Sequence, residues 1–433
     1  MSNMKELQPY EEAYQRLGNQ RQAEAEWHRV MRDDAMWSFL GKGFPTTRDE
    51  SWKYTDLSAI AGARFIMEPT TSRVVFDGTE VPKNSMDAYF MFFANGWFRA
   101  ELSDLPEGIR GMILSEIRSG DRFRTTLDEL NVFTKDSLED LNFALGMDGI
   151  FIDVPSGVCL EKPIYIVHRS DCHEGLCQPK TIMRLGKNAQ AVLIEDFRGV
   201  DGKMCFTNSF AGVVLEEGAS LEHYKLQHES RGSFHIATFK AVQKEKSVLN
   251  SISFALGAKL ARQTAMIALN GQRSECNLSG LVLGAEHQTL DHVTRVVHAV
   301  PDCKSDQRFK GILGGHSRGV FTGRVLVQRD AQKTDARQTN RNLLLSETAR
   351  ADSRPQLEIL ADDVKCTHGA TVGQLDEDAI FYLRSRGIGQ KTARRILASG
   401  FAQEIVDSIR HEKFRIFIND MTQKRFLDLE ATA

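Results

Sequence analysis

Pro163-Ile164-Tyr165-Ile166-Val167, then Ala191-Val192-Leu193-Ile194-Glu195, then Gly212-Val213-Val214-Leu215: these runs are short, apolar almost throughout, and separated by small or polar residues. Gly149-Ile150-Phe151-Ile152-Asp153-Val154 precedes them, and Leu281-Val282-Leu283 and Arg324-Val325-Leu326-Val327 follow. Each is too short for a helix, and from about 148 to 375 helical periodicity almost vanishes. Strands with one wet face alternate polar and apolar; these do not, so they read as parallel strands covered on both faces. Glycines sit at the breaks (Gly186, Gly218, Gly257, Gly271, Gly284), and the last three are 14 and 13 residues apart. Two such spacings make about one coil of a β-solenoid. A single coil of short strands cannot bury its inner face, whereas stacked coils align inward Val, Ile, Leu and Ala into a continuous core, with Gly, Asn and Asp expected at the turns. A β-sandwich or a propeller would show cleaner alternation and hairpin turns. The fold class expected is mainly β: a parallel β-helix core over residues 148–375, flanked by helical regions.

Outward from that core, residues 1–147 read as a helical, then mixed, N-terminal region. Ala13 to Leu40 carries Trp27, Val30, Met31, Met36, Trp37 and Leu40 near helical spacing, and Gly41-Lys42-Gly43-Phe44-Pro45 ends it. Tyr89-Phe90-Met91-Phe92-Phe93, Asn95-Gly96 and Trp97-Phe98-Arg99 spell a hairpin with an Asn-Gly turn. A helix is expected near Ser137 to Gly146. Residues 376–433 read as a C-terminal helical domain: Asp376-Glu377-Asp378 puts acids at a helix start, Gly387 stops that helix, and two more run about 390–399 and 402–426. Terminal elements of this kind cover the unpaired strands of a solenoid end.

The 433 residues carry 55 basic and 58 acidic side chains, a net charge of −3, with 41% apolar and 26% charged residues. Nothing in that balance attracts nucleic acid or an anionic membrane. Met1 to Glu12 carries acids and no apolar stretch of the signal-peptide kind, and no apolar run approaches the roughly 18 residues that span a bilayer, so a cytoplasmic protein is expected. The seven cysteines (Cys159, Cys172, Cys177, Cys205, Cys276, Cys303, Cys366) are odd in number, scattered, and never spaced as CxxC, which argues for a reducing compartment and against a closed zinc site. Cys172-His173 and Cys177 lie close together, and a polar surface turn beside Gly175 is the reading there. No GxxxxGK[ST] and no strand-to-helix GxGxxG occurs, so no ATP or NAD site is expected in this chain. Arg386-Gly387-Ile388-Gly389-Gln390-Lys391 resembles a helix-hairpin-helix turn that offers N–H groups to phosphate, but the charge of the whole chain does not support a nucleic-acid reader. A β-helix carbohydrate enzyme would need a carboxylate cluster on one face; Glu195-Asp196 and Glu216-Glu217 read instead as turn and edge charges. Asp291-His292 has the composition of an acid–base pair without a nucleophile motif. The remaining histidines read as satisfied core or surface residues.

The sharpest stretch is Pro355-Gln356-Leu357-Glu358-Ile359 through Asp362-Asp363-Val364-Lys365-Cys366-Thr367-His368-Gly369-Ala370-Thr371-Val372-Gly373. Cys366 and His368 are two apart, so a regular strand puts thiol and imidazole on one face about 7 Å apart. That pair suits soft or borderline metals, although two ligands do not make a site.

This stretch, with Glu50-Ser51-Trp52-Lys53-Tyr54-Thr55 and Lys333-Thr334-Asp335-Ala336-Arg337-Gln338-Thr339-Asn340-Arg341-Asn342-Leu343-Leu344-Leu345-Ser346, resembles the SufB/SufD family of the bacterial SUF iron–sulfur cluster assembly system. The three motifs span positions 50 to 387. The resemblance implies a right-handed parallel β-helix and a SufBC2D complex: one SufB-like paralogue, one SufD-like chain and two copies of a SufC-type ABC ATPase docked on the C-terminal helices. It implies a non-catalytic scaffold in which the β-helices of the two paralogues meet side by side. Arg341 stands where SufB-type chains carry a functional cysteine, and His368 where they carry glutamate. Both departures, with the absence of an N-terminal cysteine cluster, are similar to the SufD branch. The site so implied is His368, acting with a SufB cysteine as a transient metal ligand at the subunit interface, with Cys366 either a neighbouring ligand or packing; the cofactor implied is a transient Fe–S cluster shared with SufB.

Overall fold

The computed structural model describes residues 4–18, 21, 24–67, 86–104, 110–113 and 121–432. Two long sheets face each other. The first runs in the order Trp97–Phe98, Tyr89–Ala94, Ile164–Ser170, Gln190–Gly199, Ser220–His228, Val248–Ala255, Glu275–Gly284, Lys304–Leu313, Asp335–Leu344, Lys365–Gln374. The second runs Arg350–Ile359, Arg318–Val327, Thr289–His298, Leu260–Leu269, Phe234–Gln243, Cys205–Leu215, Lys180–Leu185, Ile150–Val154, Arg110–Ile113. Apart from the antiparallel pairs near the N-terminal end, neighbouring strands are parallel, and the chain passes from one sheet to the other and back. Ser220 pairs with Val248, Val248 with Glu275, Glu275 with Lys304, Lys304 with Asp335 and Asp335 with Lys365, so one coil takes 27 to 31 residues. This is the expected parallel β-solenoid.

The apolar runs have no polar alternation because both faces are covered. Ile164 and Ile166 point between the sheets, while Tyr165 and Val167 point outward under the C-terminal helices. In the other sheet Ala265, Ile267 and Leu269 point in, and Met266 and Ala268 point out under the N-terminal helices. Glu26–Lys42, Asp121–Leu130 and Ser137–Leu145 form that outer layer on the second sheet; Gln390–Asp407 and Glu412–Thr432 form the layer on the first, through Ile405, Val406, Phe414, Ile418 and Phe426. The Asn95-Gly96 turn is present with φ of 52° and 86°, and the hairpin it closes adds Tyr89–Ala94 to the strand Ile164–Ser170.

Several expectations need correction. The last two helices are Gln390–Asp407 and Glu412–Thr432, so the break falls at 408–411 and not beside Gly400. An exposed helical Gly costs only about 1 kcal/mol, which the buried Ala398, Ala402, Ile405 and Val406 around it outweigh. Asp121–Leu130 is a helix that the sequence reading passed over; its stripe Phe123, Leu127, Leu130 is short and isolated. Corners were expected to use Gly, Asn and Asp; Asn188, Asp302, Gly218 and Gly315 do so, while Lys246, Ala258, Arg273, Glu286 and Lys333 hold the left-handed conformation at other corners. Backbone bonds to the next coil, such as Lys246 N–H to Gln272 O at 2.9 Å and Lys333 N–H to Asp363 O at 2.7 Å, offset that strain of about 1–2 kcal/mol. Gly257 and Gly271 serve closeness instead: a Cβ there would lie 2.3 Å from Glu229 O and 1.9 Å from Glu245 N. Glu195 and Asp196, read as edge charges, are buried mid-strand and face opposite ways.

Asp196 faces the C-terminal layer. It accepts from Tyr165 Oη at 2.5 Å and Arg198 Nε at 2.8 Å, and lies 2.8 Å from His228 Nε2. Burial alone would raise its pKa, but the Arg198 guanidinium and His228 outweigh it and hold the carboxyl well below the usual range. Glu195 faces inward. Thr181 Oγ1 donates to it at 2.9 Å, and His223 Nε2 lies 3.2 Å away with Nδ1 bonded to Ser251 at 2.9 Å. Phe239 stacks on His223 with centroids 4.4 Å apart. The solenoid interior therefore carries a buried polar cluster beside its apolar layers. On the opposite outer face Lys240 Nζ meets Glu139 Oε1 at 2.6 Å, both 1% exposed, fastening helix Ser137–Leu145 to the second sheet.

Two outcomes follow. Lys240→Met, which leaves Glu139 alone in the core, should cost about 3–5 kcal/mol, and Glu139→Leu with Lys240→Met should recover most of it, measured by denaturant unfolding. Asp196→Asn should cost about 3 kcal/mol at neutral pH. The native carboxyl releases its proton more readily than the unfolded one, so its contribution is full above the ordinary carboxylate range and is lost as pH falls below it. The gap between wild type and Asp196→Asn should accordingly shrink below about pH 4; a gap independent of pH rules out the ionic account.

Candidate functional site

Each sheet ends on a strand that is paired on one side only. Arg350–Ile359 pairs with Arg318–Val327, and Lys365–Gln374 pairs with Asp335–Leu344; among the described residues no strand lies beyond either. Burial falls away along this last coil: the strand Lys365–Gln374 is exposed at every position except Cys366. An open edge of parallel strands presents a row of unused N–H and C=O groups, a template for another chain. Apolar side chains stand beside it: Ile359, Leu360 and Val372 are exposed, and on helix Glu377–Ser385 so are Phe381 (71%) and Tyr382 (57%).

His368 pairs in register with Gln338, and Cys366 with Ala336. Both side chains belong to the row that points between the sheets in earlier coils, since Ala336 and Gln338 are buried there. The fates of the two differ. Cys366 is half-buried against Leu357, Val364, Val325, Val327, Ala336 and Ala361, and burial pushes its thiol pKa up. His368 has no further coil to cover it and is exposed. The strand thus brings the two onto one face as read from the spacing, one as packing at the last layer of the core and one as an exposed imidazole on the last strand. Gln338 beneath His368 continues inward: its Nε2 donates to Gln307 Oε1 at 3.2 Å, which accepts from Thr294 Oγ1 at 2.6 Å. Arg341 is exposed, on the outward row of its strand, opposite to the row of Gln338 and His368. Among the described residues no group of three or more His, Cys, Asp or Glu is arranged to hold a metal ion, so the described residues alone complete no metal site at His368.

The other motifs prove to be fastenings. Thr55 Oγ1 donates to Asp291 Oδ2 at 2.5 Å, and Arg262 donates to the same oxygen at 2.6 Å and to Ser51 O at 2.8 Å while lying 3.8 Å above the Trp52 ring. Tyr54 lies within cation–π reach of Arg318 and Arg354 at 5.3 and 5.9 Å, and Arg354 pairs with Glu50 at 3.1 Å. The stretch 50–55 clasps the outer face of the second sheet toward its open end. Asp291 faces out into that clasp, whereas His292 faces in and bonds Ser253 at 2.8 Å, so the adjacent pair does not act on a common substrate atom.

Cys172 and Cys177 are buried, not on a surface turn, and Cys205 joins them from the next coil. Nothing in the local sequence joins Cys205 to that turn; the signal is its distance of about one coil, legible only once the coil length is known.

The N-terminal region of SufBD proteins matches residues 4–166, and the SufBD core domain of the SUF system for FeS cluster assembly matches residues 168–401. The iron-sulfur cluster assembly protein SufD of Escherichia coli is 30% identical over 94% of this chain and 93% of its own length. An iron-sulfur cluster assembly SufBD family protein of Synechocystis is 32% identical over 84% of each chain. The SufD protein of Bacillus subtilis is 26% identical over 69% of this chain and 70% of its own. With two helical layers around an eight-coil solenoid, an N-terminal clasp, a Cys-Thr-His strand at the open end and family matches along nearly its whole length, the chain belongs to the SufBD family of the SUF iron–sulfur cluster assembly system.

Proposed function

We propose that this protein is the SufD-type scaffold subunit of a SUF complex, and that the one-sided strand Lys365–Gln374 with its exposed His368 is where a SufB-type paralogue joins it. The observation that carries the reading is the combination of unused backbone hydrogen-bonding groups and a solvent-facing imidazole on one strand. A second parallel coil-stack could pair edge to edge there, with Ile359, Leu360 and Val372 supplying the apolar part of the contact. The chain has SufD-like and not SufB-like residues at the two discriminating positions, Arg341 and His368, and relatives in Escherichia coli and Bacillus subtilis carry the name SufD.

In this reading the Fe–S cluster is cargo. Neutral imidazole is a borderline ligand for iron and thiolate a soft one, so His368 supplies one ligand and a cysteine of the paralogue another. Ligation split across a seam opens when the subunits move apart, which suits a cluster built for transfer better than four thiolates from one rigid wall. Cys366 packs the last layer and supports the strand. The chain itself performs no catalysis; the moving force is assigned to a SufC-type ATPase on the C-terminal helices, where Phe381, Tyr382, Ile396, Ile416 and Leu427 leave apolar surface in water.

Affinity capture of the tagged chain from its own cell extract should bring two partners, one of them an ABC-type ATPase. His368→Ala should leave the folded state and both partners in place and abolish maturation of iron–sulfur enzymes in cells lacking the wild-type copy. Normal maturation with His368→Ala removes the ligand role; an absence of both partners from the captured material removes the scaffold reading itself.

A further inference from the structure

The three thiols near the second and third coils answer to nothing in the reading above. Cys172 follows strand Ile164–Ser170, Cys177 ends the short strand Gly175–Cys177, and Cys205 opens strand Cys205–Leu215. The pairing of Gly175 with Cys205 and of Cys177 with Thr207 stacks the two corners. Cys172 Sγ lies 3.1 Å from Cys205 Sγ and 3.9 Å from Cys177 Sγ, and all three are at most 4% exposed. The turn between them is shaped around a sulfur: a Cβ at Gly175 would sit 2.0 Å from Cys172 Sγ, so no side chain fits where that thiol rests. Glu174 takes the left-handed conformation, φ 56°, to bring the chain back. Cys205 is fixed from the other side by its N–H, which donates to Ser233 Oγ at 3.1 Å.

We propose that Cys172 and Cys205 are an oxidation site, a dithiol that closes to a disulfide across two successive coils, with Cys177 as a third thiol in reach for exchange. The 3.1 Å separation leaves the sulfurs about 1 Å from bonding distance, a closure that side-chain rotation at a loop corner supplies. The oxidant is a peroxide. One thiol attacks the peroxide oxygen and becomes a sulfenic acid, releasing one water; the second thiol then attacks that sulfur, its proton leaves with the sulfenic hydroxyl as a second water, and the S–S bond forms. Two thiols lose two electrons and peroxide gains them. Cys205 is placed for the second step: its S–H donates to the Cys172 carbonyl at 2.6 Å, which holds its sulfur beside that of Cys172, and contact with Cys172 together with burial pushes its pKa up, which disfavours it as the first nucleophile. A cleft of about 880 Å³ lies next to the cluster, its wall including Lys203 and Met204, directly before Cys205.

The other cysteines give the contrast. Cys159 is exposed, Cys276 buried, Cys303 bonded to Ser274, and Cys366 half-buried at the open end; none has a second thiol beside it among the described residues.

The full-length protein, fully reduced and freed of reductant, is treated with hydrogen peroxide, denatured, alkylated and digested with trypsin. The expected product is a linked pair of peptides, Ser170–Lys180 and Met204–Lys225, with fragmentation placing the bond at Cys172 and Cys205 and the alkyl group on Cys177. Reductant should restore three alkylated thiols. Cys159→Ser, which removes the exposed thiol, should leave the linked pair unchanged. Alkylation of both Cys172 and Cys205 after oxidation, or cross-links confined to Cys159 and Cys366 between molecules, overturns the proposal. These readouts use the native cysteines, so no cluster variant has to fold for the test to be decisive.

Discussion

A parallel coil buries its inner face only against the next coil, and its strands complete their hydrogen bonds only in the same way. That constraint organises this molecule. Pairings repeating every 27 to 31 residues carry the core from Ile150 to the last layer at Ala336 and Cys366. At the N-terminal end the Tyr89–Phe98 hairpin and strand Arg110–Ile113 are paired onto the sheets antiparallel to or beside the first coils. At the other end nothing among the described residues does so, and the energy of one unfinished layer is left available to a partner.

The helical layers follow from the same constraint. Once the inner faces are filled, Tyr165, Val167, Leu281 and Leu283 on one side and Phe206, Phe210 and Met266 on the other still point outward, and a sheet so apolar on its outside must be covered. The N-terminal cover is held by a buried ionic contact that is costly to break and weak as a source of net stability, Lys240 with Glu139; on the other side Lys310 reaches Phe401 O at 2.9 Å and pairs with Glu404, both on helix Gln390–Asp407. Such contacts fix where a helix sits more than whether it stays.

The interior polar cluster deserves comparison with the open-end site, because both lie on the inward row. Glu195, His223 and Ser251 are enclosed and mutually satisfied, whereas His368 stands on the same row with no coil above it. A histidine in the middle of the stack is a core residue; the same residue type on the last coil is exposed. Position along the stack, not residue type, separates the two.

The sequence alone determined the solenoid, the Asn95-Gly96 hairpin, and the placing of Cys366 and His368 on one face, since all of these rest on local periodicity and on the alternation of a strand. It also carried the family, through the resemblance of three stretches, residues 50–55, 333–346 and 355–387. Only the tertiary structure decided that 50–55 is a clasp on Arg262 and Asp291, that Asp291 and His292 face apart, that Glu195 and Asp196 are buried, and that Cys205 meets Cys172. Those relations join residues separated by one coil or by more than 200 positions, and their energy comes from burial, which no window of local sequence records. The exposure of His368 belongs to the same class: it depends on where the stack stops, a property of the assembled coils and of none of them singly.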